Sequence, residues 1–140
     1  MKTTELMIGD WVLHFGEIAR IVGIRIDNYN DASYFKINLH DTWYESGVDG
    51  IEPITLTPEI LVKNGFEKKE DDDGQELYSL LLGEWAITYM SILGCPYLTI
   101  EDVLDYDRAH SVLNLKDSIY YVHQLQQALC FCGIEKEIVL

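Results

Sequence analysis

The sequence predicts an α+β protein, in which a twisted antiparallel β-meander, a short helix, a second antiparallel sheet and a C-terminal helix follow in order. Three observations predict this class. Apolar and polar residues alternate with a period of two in the first third of the chain. A Thr-Pro-Glu sequence at 57–59 marks a short helix, and residues 119–132 carry a helical apolar stripe. At 140 residues the chain fits one domain, which we divide into two lobes, about 1–54 and 55–140.

The first lobe is predicted to contain at least three strands. Residues 11–15 alternate, Gly16 and Glu17 offer a turn, and 18–26 and 34–39 alternate again. Arg20 shares the phase of the apolar residues after the turn, so we expect a register change near Gly23. A fourth strand at 42–45 or 50–54 would curl the meander toward a small SH3-like barrel.

The short helix has clear signals at both ends. Thr57 can cap it and Pro58 suits its first position. Gly65 suits the left-handed residue after its last turn, with Phe66 packing back on Leu61. The following acidic run, 67–76, is interpreted as a hairpin tip, because the spacing of a calcium-binding loop is absent.

The second sheet is predicted from 77 onward. Strands in 77–91 meet at Gly83 and Glu84, and 97–100 and 111–115 extend the sheet. The piece 101–110 is compatible with either a turn of helix or a loop. The last four residues, EIVL, are predicted to form a final strand.

The C-terminal helix is predicted to begin at Ile119, capped by Asp117 or Ser118, and to end at Gly133. At about 100° per residue, one apolar arc should face a core; it comprises Tyr121, Val122, Leu125, Ala128, Leu129 and Cys132. His123 falls opposite this arc, which predicts a solvent-exposed imidazole, with Gln126 beside it. The outward side is the predicted partner surface, formed by Tyr120, His123, Gln124, Gln127 and Phe131. Cover by the protein's own strands is the alternative use of that side.

Charge excludes one class of function. The chain carries 10 Lys and Arg against 24 Asp and Glu, a net charge of −14. The acid is spread over every third of the sequence, so we expect no direct binding to nucleic acid, which requires clustered cations. Solubility explains such acidity. A sharper hypothesis is that the protein acts as an acidic decoy of nucleic acid for a DNA-binding protein.

Signatures of catalysis and of metal or cofactor binding are missing. There is no GxSxG, no P-loop and no GxGxxG. The pairs His40–Asp41 and Asp107–His110 put a carboxylate near an imidazole, but no nucleophile accompanies them. Cys130 and Cys132 lie on different sides of one helix and cannot hold one metal. We therefore predict no catalytic residue, no metal site and no cofactor.

Cysteine usage and hydropathy bear on location. Three cysteines at unpaired spacings indicate reduced thiols rather than a disulfide framework. The N-terminal residues do not resemble a signal peptide, and no apolar run approaches the ~20 residues that cross a bilayer. These patterns predict a cytoplasmic protein with no membrane partner.

Three motifs carry a resemblance. LMIGDWV, LTPEILVKNGFEK and IYYVHQLQQAL, taken in this order, resemble a family of short uncharacterised proteins from gut Bacteroidetes genomes and their phages or other mobile elements. The matching residues, 8–12, 56–68 and 121–129, cover about a third of the chain. Pro58 and the Cys130-Phe131-Cys132 ending depart from the family pattern. The family has no assigned activity, so the resemblance implies a phage or mobile-element context and no chemistry.

Together these observations predict a non-enzymatic protein-interaction module. Its partner would be another protein or a second copy of the chain. Two alternatives remain, the acidic decoy and a small ligand-binding protein or enzyme with a site between the lobes.

Overall fold

A computed structural model describes residues 6–29, 32–45, 49–103, 111–116 and 119–140. These residues form two five-stranded antiparallel sheets and two α-helices, which confirms the predicted α+β class. The chain divides into two compact units, one of residues 1–55 and 121–127 and one of residues 56–120 and 128–140. The predicted lobes put the whole C-terminal helix in the second lobe, whereas its first half belongs to the first unit.

The first sheet has the strand order β4-β3-β2-β1-β5, in which β1 lies between β2 and β5. Both candidate positions for the fourth strand form strands, whereas the likeness to an SH3-like barrel stays a prediction. The strands are β1 (Trp11–His14), β2 (Glu17–Asp27), β3 (Ala32–Ile37), β4 (Trp43–Glu45) and β5 (Ile51–Pro53).

The core of the first unit is built from the inward residues of these strands, including Val12, Ile21 and Phe35, which are fully buried. The pairing of β2 with β3 shifts between Ile21 and Gly23. This irregularity confirms the register change predicted near Gly23. Because of this shift, apolar residues of β2 face the core both before and after Gly23, although the alternation of inward and outward positions changes phase there.

The short helix α1 (Pro58–Lys63) begins and ends as predicted. The Thr57 side chain accepts a hydrogen bond from the Ile60 N–H, and Pro58 opens the helix. At the other end the Gly65 N–H donates to the Val62 carbonyl and the Phe66 N–H donates to the Leu61 carbonyl. Gly65 has a φ of +92°. These bonds form a Schellman ending, which turns the chain directly into the second sheet.

The second sheet is a regular meander with the order β10-β9-β8-β7-β6. Its acidic hairpin tip is confirmed, because Asp71 accepts hydrogen bonds from the N–H groups of Asp73 and Gln75 and closes the turn between two paired strands. The turn at Gly83 is also confirmed. The strands are β6 (Glu67–Glu70), β7 (Glu76–Leu82), β8 (Trp85–Ile92), β9 (Cys95–Asp102) and β10 (Ser111–Lys116).

The C-terminal helix α2 (Val122–Phe131) is shorter than predicted. It begins at Val122 rather than Ile119, because Thr55 and Tyr121 form a β-bridge and the Val122 N–H donates to the Ile54 carbonyl. The predicted caps Asp117 and Ser118 lie outside the described residues, as does 104–110, most of the piece for which helix and loop were both considered.

The predicted final strand EIVL is wrong. Residues 134–140 have no regular secondary structure. Val139 pairs instead with the Asn64 side chain, which accepts from the Val139 N–H at 2.7 Å and donates to its carbonyl at 2.8 Å. A side-chain amide therefore takes the place of a strand partner. Within the described residues, no helix is long and apolar enough to cross a membrane.

Candidate functional site

An exposed group of aromatic and basic side chains covers the outer face of the first sheet. Cross-strand pairing puts Arg25 beside Tyr34 and Lys36 beside Trp43, on the side opposite Phe35 and the core. The guanidinium carbon of Arg25 lies 4.7 Å from the centre of the Tyr34 ring and 5.2 Å from that of Trp43. We call Arg25, Tyr34 and Trp43 the arginine–aromatic face.

Gly23 lies directly against the ring of Trp43. A Cβ atom at Gly23 would lie 3.0 Å from Cη2 of the Trp43 ring and 3.3 Å from Cβ of Lys36. The indole therefore rests directly on the backbone of β2, at the register shift. The bulge and the glycine together allow the Trp43 ring to lie against the backbone of β2, with Arg25 over it. The indole remains 37% exposed.

The other described cations of the first unit are also engaged. Arg20 stacks over Trp11 at 4.6 Å, and its Nε donates to the Gly9 carbonyl. Lys36 forms an ion pair with Asp41. That ammonium group lowers the pKa of the Asp41 carboxyl below its usual range, first through the hydrogen bond and then through charge. The carboxylate that the sequence placed beside His40 is therefore bound to a lysine.

His123 is not at the surface, and the predicted solvent-exposed imidazole is wrong. The side chain is fully buried and its ring stacks on Tyr121, with centroids 5.7 Å apart and an angle of 9°. The reason is the late start of α2. Residues 54 and 55 pair with 121 and 122, so the first turn of α2 has neighbouring chain beside it, and the Tyr121 ring lies against His123.

Two predicted surface glutamines make internal bonds. Gln124 accepts from the Tyr121 N–H at 2.9 Å and thereby caps the helix. Gln127 donates to a carboxylate oxygen of Asp10 at 2.7 Å. Both side chains are only partly exposed, so they are poorly placed to lead a partner contact.

Tyr120 and Phe131 are exposed as the sequence predicted. Tyr120 is 44% exposed and Phe131 81% exposed. Both belong to the second unit, whereas His123, Gln124 and Gln127 belong to the first. That this predicted surface binds a partner stays a prediction. Its polar residues, His123, Gln124 and Gln127, already make contacts within the first unit.

Asp10 is a buried carboxyl group that the sequence did not single out. It is 3% exposed and accepts from the Met7 N–H as well as from Gln127. Desolvation raises its pKa, and the two hydrogen bonds oppose that shift. Gln126, next to Gln127, accepts from the Trp11 N–H and donates to the Gly9 carbonyl. These contacts attach the start of β1 to the helix.

A cluster of rings surrounds His14 at the end of β1. Its ring centre lies 4.3 Å from that of Tyr44, 4.7 Å from that of Phe15 and 6.1 Å from that of His40. His14 is 7% exposed, and its Nε2 atom is buried without a hydrogen-bond partner among the described residues. Such an atom is unusual in a folded protein and calls for an explanation.

Among the described residues, no group of three or more His, Cys, Asp and Glu side chains is arranged to hold a metal ion. The cysteines at 95, 130 and 132 are thiols without disulfides. Burial raises the pKa of the Cys132 thiol, which favours its protonated and unreactive form. Asp107 and His110 lie outside the described residues.

Sequence reasoning missed the arginine–aromatic face, although part of its signal was present. Alternation placed Tyr34 and Lys36 on one side of their strand, opposite the apolar residues. The sequence does not reveal that Arg25 and Trp43 reach the same face, because this depends on the bulge in β2 and on the pairing of β4. Comparison of the chain with protein-family models, with curated proteins and with solved structures finds no match.

Proposed function

We propose that this protein is a non-enzymatic protein-interaction module that acts in the cytoplasm, in a phage or mobile-element context. The context rests on the motif resemblance and the location on the sequence pattern. The interaction itself is supported by one structural observation, the exposed stacking of Arg25 between Tyr34 and Trp43.

Residue type is the first reason that this face suits binding. Trp, Tyr and Arg are the residues most enriched at energetic hot spots of protein interfaces. Tyr and Trp bring large contact areas with few rotatable bonds. Stacking also preorganises the guanidinium, which lowers the entropy lost when it binds.

Geometry is the second reason. Both rings lie within about 5 Å of the guanidinium carbon, and the N–H groups of the guanidinium can donate hydrogen bonds to a partner's carboxylate or backbone carbonyl. Gly23 keeps Trp43 low, close to the backbone of β2. The result is a broad surface on paired strands, which are more rigid than loops.

Size-exclusion chromatography with light scattering, over a concentration series, tests self-association. Affinity capture with quantitative mass spectrometry tests a foreign partner. The double variant Arg25→Ser/Trp43→Ser should lose at least tenfold in either association. The matched control is Leu81→Ser, an equally conspicuous exposed apolar residue on the other sheet, which should retain it. A strictly monomeric wild type that captures the same proteins as the double variant would contradict the proposal.

A further inference from the structure

We propose that His14 and His40 form a binding site for one borderline divalent metal ion such as Zn²⁺, with the Tyr44 phenol beside it. The site lies within the first unit, at the end of β1 and after β3. It is independent of the arginine–aromatic face, so either proposal can fail without the other.

The state of His14 is the first argument. Its Nε2 is shielded from solvent and has no hydrogen-bond partner in the part of the chain that the structure describes. Leaving a polar atom buried and unpaired costs about 1–3 kcal/mol, and a bound ion is one of the few explanations for such an atom. Imidazole nitrogen is a preferred ligand of Zn²⁺, Ni²⁺ and Cu²⁺.

The distance between the two imidazoles is the second argument. Metal–nitrogen bonds of about 2.0–2.1 Å put the centres of two imidazoles on one tetrahedral ion roughly 5.2 Å apart. The ring centres of His14 and His40 are 6.1 Å apart, so the two rings need to approach by only about 1 Å to share such an ion. The Tyr44 ring adjoins both, with its centre 4.3 Å from that of His14 and 6.4 Å from that of His40, and the proposal assigns its phenol oxygen as the third donor.

The positions of the two histidines in the fold are the third argument. His14 is held in β1 by pairing with Glu17 and Ile51, which keeps one ligand in a fixed place. His40 lies between β3 and β4 and is exposed, so its ring can turn to share an ion. The net charge of −14 raises the concentration of cations near the chain.

The expected chemistry is that of an open site. A structural zinc site uses four protein ligands, whereas two imidazoles and one phenol leave at least one position for water. Such a site should bind with moderate affinity and should prefer Zn²⁺ or Ni²⁺ over Ca²⁺, which requires oxygen ligands.

Calorimetric titration of the full chain with ZnCl₂, in the presence of a non-chelating reductant, tests the proposal. One equivalent should bind with a micromolar dissociation constant. His40→Ala should weaken binding at least tenfold, and this exposed change should leave the fold intact. His14→Phe, which keeps a packed ring without nitrogen, should do the same. Cys130→Ser removes the exposed thiol and should leave the affinity unchanged.

Nuclear magnetic resonance of the imidazole groups provides a second readout. Zn²⁺ should shift the signals of His14 and His40 together, and CaCl₂ should shift neither. Absence of Zn²⁺ binding at millimolar concentration, or unchanged affinity in His40→Ala, would overturn the proposal. If His14→Phe does not fold, the His40→Ala result alone decides.

Discussion

In each of the two units a side-chain amide holds a distant piece of backbone, Asn64 in one and Gln126 in the other, and the two amides differ in how firmly they do so. In the second unit Asn64 accepts from the Val139 N–H and donates to the Val139 and Ile60 carbonyls. In the first unit Gln126 accepts from the Trp11 N–H and donates to the Gly9 carbonyl. In both arrangements the amide supplies backbone N–H and C=O groups with partners of the kind that a neighbouring strand would otherwise supply.

Burial and side-chain length separate the two amides. Asn64 is 5% exposed, has a short side chain, and follows directly from the last turn of α1. Gln126 is only partly buried and has one more rotatable bond. A buried hydrogen bond that is broken leaves an unsatisfied group without access to water, whereas a half-exposed one can be replaced by water. We therefore expect the amide contact of the second unit to contribute more to the free energy of unfolding than that of the first.

Asn64→Ala should have the largest effect of the changes proposed here. It removes three hydrogen bonds from a buried position, and we expect it to lower the free energy of unfolding by about 2–4 kcal/mol. Urea denaturation measures the change. Asn114→Ala, at an exposed strand position, should change stability by less than about 0.5 kcal/mol. Equal effects of the two substitutions would remove the role given to Asn64.

Gln126→Ala should have a smaller effect, about 1–2 kcal/mol, because two bonds of 2.9 and 3.2 Å are lost from a partly exposed site. The same denaturation experiment measures it, with Cys130→Ala as the control at an exposed position of the same helix. Hydrogen exchange should be faster at the Trp11 amide in particular. A loss as large as that of Asn64→Ala would break the comparison between the two units.

Asp10 makes the attachment in the first unit dependent on pH. Its pKa is raised in the folded protein by desolvation, so the folded state binds this proton more tightly than the unfolded state. The ionised group therefore opposes folding above its folded pKa, and this penalty is relieved as the pH falls toward 3.8, its ordinary value. Asp10→Asn should gain most over wild type near pH 7, and the gain should shrink on acidification. Denaturation at pH 7, 6, 5 and 4 measures this, and a gain that is constant with pH would contradict it.

Each unit also contains a hairpin turn with a non-glycine residue at positive φ. Substitutions in these turns should have the smallest effects on the free energy of unfolding. Phe15 and Leu93 each open a two-residue hairpin turn at positive φ, 46° and 52°. Leu93 is 99% exposed, so Leu93→Asn should relieve strain without losing packing and stabilise the protein by about 0.5–1 kcal/mol. Phe15 rests on His14 and on Gly50, so Phe15→Asn should be neutral or destabilising. Thermal unfolding distinguishes them, and equal gains would show that Phe15 does not pack usefully.

Local signals in the sequence were sufficient for much of the fold. The caps of α1, the Gly83 turn, the acidic tip and the shift near Gly23 were all predicted, because each depends on residues a few positions apart. The predictions failed where distant segments meet. EIVL has the composition of a strand, but its backbone pairs with Asn64, 75 residues away.

The candidate sites show the same limit. The helical wheel of residues 119–132 identified the apolar arc and the exposed Phe131, because a helix sets those directions by itself. It misplaced His123, which is fully buried, because the wheel contains no information about distant segments such as 54–55, which pair with the start of the helix. Arg25, Tyr34 and Trp43 come from three strands, and no spacing in the sequence brings them together.

By itself the sequence determined the class of the fold, the order of its elements and its acidity, since these follow from composition and from contacts between near neighbours; that the chain does not bind nucleic acid directly stays a prediction. Only the tertiary structure decided which polar side chains are buried and which rings share a face. Burial and stacking depend on the pairing of strands and the path of distant segments, so Asp10, His14 and His123 became inner residues, while Trp43 stayed at the surface.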